Sequence, residues 1–362
     1  MASRHSDEDH PICLLSLDGG GVRGLSTLLI LKKIINGLNK NRRVNGLEEV
    51  RLYQVFDLVG GTAAGGLIAI MLGRLKMDID DCIEAFNCLM ENIFTKAPHW
   101  TPFSWVLRFL PKWVMSQYDS EKLANEFTCF LDNKSIPKDA PLNEPEPECN
   151  VFVRVLSEGP DTIECLRSYT SGESAFDSVT ILDATLATSV ATGYFHPITI
   201  SGRQFIDGGI GANNPIEKVE SEAKHIYHLG GNELRNRVTC FISIGTGKAH
   251  MRAMEGGSLT RPDGMQAAAE DTARKFTSHW AVDEDVNRRV ANSYFRLNVD
   301  SGLQDIGLHE YTKINLIEHA TTVYLEQVEV RVAMDEIVSK LGERLRSREL
   351  IRMASQGIVN EE

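Results

Sequence analysis

Three glycine-rich stretches each follow an apolar run, and each contains groups that acyl-transfer chemistry uses. They are residues 18–24 (DGGGVRG), 61–65 (GTAAG) and 207–209 (DGG). Glycine lets the backbone turn sharply. Backbone N–H groups at such a turn suit a phosphate or a developing oxyanion, and a carboxylate can act as a general base.

The second stretch has the spacing of a nucleophile elbow. Residues 56–59 are apolar enough for a buried strand, and residues 67–72 are apolar enough for a buried helix. In the elbow Gly-x-Ser-x-Gly, small flanking residues hold the central side chain at the start of a helix. The central residue here is Ala63, and a methyl group cannot attack a carbonyl carbon. Taken alone, the stretch also fits an ordinary glycine-rich turn.

The first stretch contains the Gly-x-Gly-x-x-Gly pattern of dinucleotide-binding loops, at Gly19, Gly21 and Gly24. A nucleotide-binding domain is therefore an alternative. That fold favours an acidic residue at the end of the second strand, about 20 residues further on. Glu48 and Glu49 lie at roughly that distance, but no strand pattern precedes them. The neighbouring elbow makes an oxyanion the better match.

The third stretch follows a short strand pattern at residues 204–206. Glycines at 208 and 209 allow a turn directly after Asp207, which predicts that this carboxylate lies at the mouth of the sheet. An Asp-Gly pair is also a common turn signal.

In this order, the three stretches resemble the patatin-like phospholipases. That family is marked by an Asp-Gly-Gly-Gly-x-Arg-Gly loop, a Gly-x-Ser-x-Gly elbow and an Asp-Gly-Gly or Asp-Gly-Ala turn. The resemblance covers about residues 12–245, and residues 243–247 (SIGTG) are also similar to the family. It implies an α/β fold with three layers, α/β/α, and a mostly parallel central sheet. It also implies a Ser-Asp dyad without a histidine.

The resemblance implies a role for each matching residue. Position 63, here Ala63, is the nucleophile position, and Asp207 is the general base. Gly20 and Gly21 supply oxyanion-hole N–H groups, and Arg23 helps to hold their loop. The other motif glycines are Gly19, Gly24, Gly61, Gly65, Gly208 and Gly209. No metal and no cofactor are implied.

Alanine at position 63 departs from the family at its nucleophile. Losing such a serine lowers turnover by about a millionfold, so the chain as written is expected to be inactive. Thr62 is not expected to replace it, because neighbouring residues of a sharp turn point elsewhere. Two explanations remain: a deliberate Ser-to-Ala substitution, or a natural pseudoenzyme that binds lipid without cleaving it. The retention of Asp207 and the loop glycines favours the substitution.

Two further alternatives stay open. One is a lipid-binding or signalling module, including the N-terminal effector of a larger immune-type receptor, for which the polar ending at 352–362 would suit a truncation point. The other is an α/β-hydrolase triad that uses His225, His250 or His279. His196 lies beside aromatic residues, which is typical of a structural histidine.

Residues 99–118 are rich in aromatic side chains interspersed with basic ones. Such a segment fits a loop that packs over the core through its aromatics. It also fits an amphipathic lid whose aromatic residues contact a lipid headgroup layer, which would make the protein peripheral at membranes. The residues predicted for this contact are Trp100, Phe103, Trp105, Phe109 and Trp113.

Composition narrows the functional classes. The net charge of −12 over 362 residues argues against general nucleic-acid binding, and the sequence has no metal-ligand spacing among its seven cysteines. No apolar run reaches the roughly 18 residues of a membrane span, and the first ten residues are not signal-like. We therefore expect a cytoplasmic protein. The family resemblance implies that its ligand is a phospholipid or another acyl lipid. The sequence is compatible with an oligomer.

The apolar runs and the breaks between them predict the domain organisation. Strand patterns occur at residues 12–17, 56–59, 151–156, 204–206, 238–244 and 294–299. We expect a flexible N-terminus at 1–11, a catalytic core at 12–247 and a linker at 248–264. A helical C-terminal part at 265–362 is expected to pack on the same domain.

Overall fold

The computed structural model describes residues 11–95, 120–157, 162–171, 178–189, 195–200, 202–207, 213–248, 262–281 and 293–355. The strands among them are β1 Ile12–Leu17, β2 Leu58–Thr62, β3 Asn150–Ser157, β4 Thr162–Arg167, β5 Ile198–Ile200, β6 Arg203–Asp207, β7 Val238–Ile244 and β8 Tyr294–Leu297.

Helices connect and cover these strands. The α-helices are α1 Gly24–Val44, α2 Leu52–Val55, α3 Ala64–Ala69, α4 Ile79–Phe94, α5 Ser120–Asn133, α6 Ile181–Ser189, α7 Ile216–Tyr227, α8 Gly231–Arg237, α9 Pro262–Ala281, α10 Ile314–Glu326 and α11 Val328–Ser355. A π-helical turn, Ile70–Arg74, extends α3, and a 3₁₀ turn, Gly21–Arg23, precedes α1.

One sheet contains the eight strands named above. Its central strands run in the order β3, β2, β1, β7 and β8, and each neighbouring pair among these five is parallel. β4 and β6 pair with β3 in the antiparallel direction, and β5 pairs with β6 in the same way. The predicted α/β fold with a mostly parallel central sheet is confirmed.

Helices cover both faces of the sheet. In β1, Cys13, Leu15 and Leu17 belong to a core shared with α1, α3 to α6, α10 and α11, whereas Ile12 and Leu14 belong to a second core shared with α7, α8 and α9. Successive side chains of a strand point to opposite faces, so an uninterrupted apolar strand is buried on both sides. This arrangement gives the three layers that the sequence predicts.

The loops after β1, β2 and β7 meet at the carboxyl end of these strands. Leu17, the last residue of β1, pairs with Gly61 of β2 on one side and with Ile244 of β7 on the other. Because the three strands are parallel, their carboxyl ends coincide. Active sites of α/β folds lie at the carboxyl ends of such strands.

The C-terminal helix α11 packs against α1 and β7. Its predicted apolar stripe is buried, and consists of Val330, Met334, Ile337, Leu341 and Leu345. β4 and β5 were not predicted from the sequence pattern, because they are short antiparallel strands with mixed polar and apolar residues. Among the described helices, none combines the length and the apolar character that crossing a bilayer requires.

Candidate active site

The turn between β2 and α3 has the geometry of a nucleophile elbow. Ala63 adopts φ 50° and ψ −122°, a conformation that residues with a side chain rarely adopt and that costs on the order of 1–3 kcal/mol. A Cβ added at Gly61 would lie 2.2 Å from the carbonyl oxygen of Gly65, and one added at Gly65 would lie 2.3 Å from that of Leu17. Both flanking positions therefore require glycine. Ala63 donates its N–H to Thr188 Oγ1 at 2.9 Å.

The loop after β1 is held directly beside this turn. The N–H of Gly19 donates to the carbonyl oxygen of Asn213 at 3.2 Å, and the carbonyl oxygen of Gly19 accepts from Thr246 Oγ1 at 2.7 Å. A Cβ added at Gly19 would lie 3.2 Å from Ala63 Cβ. The backbone of the first motif thus contacts the central residue of the second.

Gly20 and Gly21 carry the N–H groups that remain available in this loop. Across the described part of the chain, no protein group accepts a hydrogen bond from either N–H. Gly21 has φ +55°, and a Cβ there would lie 2.2 Å from the carbonyl oxygen of Leu308. That same oxygen accepts the N–H of Val22 at 2.9 Å. The two glycines line the pocket described below, where a ligand oxygen can reach them.

Arg23 and Gly24 close the loop and start α1. The N–H of Arg23 donates to the carbonyl oxygen of Gly20 at 3.2 Å, and the Arg23 side chain is buried at the pocket wall. A Cβ at Gly24 would lie 2.9 Å from Phe86 Cζ. Close packing of α1 against α4 therefore requires glycine at this position.

The backbone of Asp207 lies next to the end of β2. Thr62 pairs with Arg154 of β3, and Asp207 pairs with the next β3 residue, Val155. Both β3 residues also pair with β4, which occupies the other edge. β2 and β6 consequently share one edge of β3, and Asp207 follows directly where β2 ends.

An apolar pocket opens at this meeting point. Its empty space is about 710 Å³, including the open solvent at its mouth. One end is formed by Ala63 and the loop of Gly20 and Gly21. The apolar walls come mainly from α4, α5 and residue 195, and include Met90, Ile93, Phe94, Leu123, Phe127 and Phe195.

Comparison with known proteins agrees with the resemblance found in the motifs. The family model described as patatin-like phospholipase matches residues 15–219, which is more than half of the chain. This chain belongs to the patatin-like phospholipase family. The match covers the elbow, the glycine loop and Asp207.

Individual patatin-like relatives are more distant. Patatin-like phospholipase 1 of Plasmodium falciparum is 24% identical over 339 residues, covering 87% of this chain and 47% of that protein. The cGAMP-activated phospholipase of Vibrio cholerae is 29% identical over 212 residues, covering 56% of this chain and 55% of that protein. Calcium-independent phospholipase A2-gamma of Mus musculus is 26% identical over 245 residues, covering 66% of this chain and 28% of that protein. The alignments therefore span only about a quarter to just over half of these relatives.

The patatin-like site contains an ion pair that motif analysis did not identify. Asp18 is buried, and both of its carboxylate oxygens accept from Arg296, at 3.1 and 2.7 Å. Burial raises the pKa of Asp18 to about 6, against the opposing effect of the Arg296 charge. The one signal in the sequence was a charged residue within the otherwise apolar strand β8, but nothing there indicates its distant partner.

Thr188 is a second residue of the site that motif analysis missed. Its hydroxyl accepts the N–H of Ala63 and donates to the carbonyl oxygen of Arg154 at 3.2 Å. It thereby connects the elbow to the middle of β3. A lone threonine in a short helix carries no recognisable sequence signal.

The residues of the alternative hypotheses lie elsewhere. His225 contacts the carbonyl oxygen of Ser171 at 3.1 Å, and His279 contacts Arg235 at 2.9 Å; neither lines the pocket. His196 is exposed. The coil after α1 contains Glu48 and Glu49, so neither ends a strand as a ribose-binding carboxylate would.

Several predicted residues lie outside the described part of the chain. They are Gly208, Gly209, His250 and the five aromatic residues Trp100, Phe103, Trp105, Phe109 and Trp113. Most of the predicted linker at 248–264 lies outside it as well.

Proposed function

We propose that this site is that of a lipid acyl hydrolase of the phospholipase A or lysophospholipase type, and that alanine at position 63 makes the chain as written inactive. One observation carries the proposal. Ala63 adopts the strained elbow conformation beside the available N–H groups of Gly20 and Gly21, at the end of an apolar pocket. A serine at position 63 would supply the nucleophile of this site.

With serine restored, the reaction uses a dyad. Asp207 acts as the general base and takes the hydroxyl proton while the oxygen attacks the ester carbonyl carbon. The N–H groups of Gly20 and Gly21 stabilise the resulting oxyanion, and the alcohol leaves with the proton. Water then attacks the acyl-enzyme by the same route and releases the fatty acid.

The lining of the pocket supports an acyl chain as the bound group. Apolar side chains of α4 and α5 offer no partner for a charged headgroup, whereas burial of methylene groups is favourable by about 0.8 kcal/mol each. We further propose a cytoplasmic protein that reaches its substrate at membrane surfaces through the aromatic segment 99–118.

Restoring the nucleophile tests the proposal. Ala63→Ser is expected to release fatty acid from phospholipid vesicles or short acyl esters and to react with a fluorophosphonate probe. The controls are the unchanged chain, which is expected to be inactive, and the double variant Ala63→Ser with Asp207→Asn, which is expected to be at least about 100-fold less active than Ala63→Ser. A folded Ala63→Ser protein that neither hydrolyses these esters nor reacts with the probe would refute the proposal.

The alanine also favours a second candidate, a lipid-binding or signalling module without catalysis. Its pocket and elbow geometry are retained although the nucleophile is absent. In this case the chain would bind acyl ligands, and would act as an effector within a larger immune-type receptor. The native codon at position 63 separates the candidates: a serine codon excludes the natural pseudoenzyme, whereas an alanine codon together with saturable fatty-acid binding favours it.

A further inference from the structure

The glycine loop, residues 18–24, is held at both ends by residues that lie beyond 15–219, the range that the family model matches. At its start, Asp18 binds Arg296 of β8 through two hydrogen bonds. At its end, Val22 donates its N–H to the carbonyl oxygen of Leu308. Gly20 and Gly21 lie between these two attachments and line the pocket.

Arg296 is itself held in position on several sides. Its guanidinium donates to Glu270 Oε1 at 2.6 Å and to Ser243 Oγ at 2.8 Å, as well as to Asp18. The side chains of Arg296 and Asp18 are 13% and 2% exposed. A planar guanidinium with several partners has one preferred orientation, so it fixes the direction of the Asp18 carboxylate.

A second set of hydrogen bonds extends this network to the loop after β7. Asn298 donates to Glu270 Oε1 at 2.7 Å, and its Oδ1 accepts the N–H of Gly247 at 2.6 Å. The neighbouring Thr246 donates to the carbonyl oxygen of Gly19. A Cβ added at Gly20 would lie 2.2 Å from Thr246 Oγ1, which shows how closely the two loops pack.

We propose that Arg296 is a positioning residue for the oxyanion loop, acting through Asp18 to hold the N–H groups of Gly20 and Gly21 in the geometry that the reaction needs. The inference rests on the proposed function for its catalytic consequence. Its structural content, that Arg296 orders the loop, is independent of catalysis. The segment after residue 219 then contributes to the active site, because it contains the residue that positions the oxyanion loop.

The physical reason is preorganisation. Oxyanion donors contribute to catalysis when they are already 2.7–3.1 Å from the position of the developing charge. A displacement of about 1 Å lowers the rate by about 100-fold. Lysine at position 296 would retain the charge but would replace the two parallel hydrogen bonds by a single flexible contact.

The chain provides a matched control for such a substitution. Arg167 donates to both carboxylate oxygens of Glu222, at 2.7 Å each, and these side chains are 14% and 3% exposed. This pair has the same chemistry and burial as Arg296 and Asp18, but it joins β4 to α7 and lines no part of the pocket. Arg167→Lys therefore reports the effect of losing a buried bidentate pair alone.

The first measurement uses the chain with Ala63 and needs no activity. Hydrogen exchange of a peptide spanning residues 18–24 follows the bonded amides of Asp18, Gly19, Val22 and Arg23. Arg296→Lys is expected to raise their exchange rate at least about tenfold, whereas Arg167→Lys is expected to leave it unchanged. Should Arg296→Lys fail to fold, Asp18→Asn removes the charge and one of the two acceptor oxygens from the same contact, while Arg296 keeps Glu270 and Ser243.

The second measurement places the same variants in the Ala63→Ser protein. Arg296→Lys is expected to lower kcat and the rate of fluorophosphonate labelling by about 100-fold with little change in KM, and Arg167→Lys is expected to change neither. Equal loop exchange in the Arg296→Lys and Arg167→Lys proteins, or an unchanged kcat in a folded Arg296→Lys protein, would overturn the inference. If Ala63→Ser has no esterase activity, the proposed function fails, while the exchange comparison still decides whether Arg296 orders the loop.

Discussion

Thr62 and Asp207 lie side by side along one edge of β3, as the last residues of β2 and β6. β2 pairs with β3 as far as Arg154, and the chain then turns into the elbow. β6 runs antiparallel to β3 and pairs with it from the next residue, Val155. The backbone that carries the predicted base therefore borders the backbone that carries the nucleophile position. This backbone arrangement is compatible with the proposed Ser-Asp dyad.

The Asp207 prediction concerns the general base. In the Ala63→Ser protein, Asp207→Asn is expected to lower kcat by about 100- to 10,000-fold, because an amide cannot take the proton from the serine hydroxyl. Initial rates on a short acyl ester measure the effect, and circular dichroism checks the fold. Glu217, on the surface of α7, provides the control: Glu217→Gln should keep full activity. Retained activity in Asp207→Asn would assign the base elsewhere.

The Thr188 prediction concerns the support of the elbow. Thr188→Val removes the acceptor for the N–H of Ala63 and leaves that half-buried group without its partner, so the free energy of unfolding is expected to fall by about 1 kcal/mol. Urea unfolding of the chain with Ala63 measures the loss. Thr27→Val is the comparison, because the buried Thr27 hydroxyl has no hydrogen-bond partner among the described residues. Equal effects of the two substitutions would show that Thr188 supports the elbow no more than any buried threonine.

The Ala63 prediction concerns backbone strain. Ala63→Gly is expected to raise the free energy of unfolding by about 1 kcal/mol, because glycine adopts positive φ without the steric penalty of a Cβ. Ala333→Gly, within the regular helix α11, is expected to lower it by about 1 kcal/mol. Thermal or urea unfolding of both variants gives the comparison. A loss at position 63 as large as that at 333 would be inconsistent with a strained elbow.

The ionisation of Glu222 is expected to make the free energy of unfolding depend on pH. Burial alone would raise the pKa of Glu222, but hydrogen bonds from Arg167, Lys218 and Tyr169 outweigh it and lower the pKa to about 2. A carboxylate whose pKa is lower in the folded state stabilises the protein above its unfolded pKa of 4.5. This stabilisation is expected to disappear as the pH falls from about 4.5 to about 2.

Unfolding of Glu222→Gln tests the pH effect. At pH 7 the variant is expected to be less stable by about 3 kcal/mol, and the difference from the parent chain should vanish near pH 2. Exposed Glu84 supplies a comparison on α4, where Glu84→Gln should show only a small difference at pH 7. A Glu222→Gln difference that is the same at pH 7 and pH 2 would contradict the assignment of the lowered pKa.

The sequence alone determined which residues form the site motifs and the central part of the fold. Local chemistry fixes these features: the apolar runs of β1 and β7 are long enough to be buried strands, and the stripe on α11 has helical spacing. The glycines at 61 and 65 predicted a sharp turn at Ala63, because the turn brings backbone too close for a Cβ.

Only the tertiary structure decided which distant groups meet at that turn. Asp207 borders Thr62 because β6 pairs antiparallel with β3, and Asp18 meets Arg296 because β8 joins the sheet beside β7. Thr188 reaches the elbow because α6 packs against α3. Such contacts depend on strand order and helix packing over long separations in sequence, whereas propensity and spacing act only over neighbouring residues.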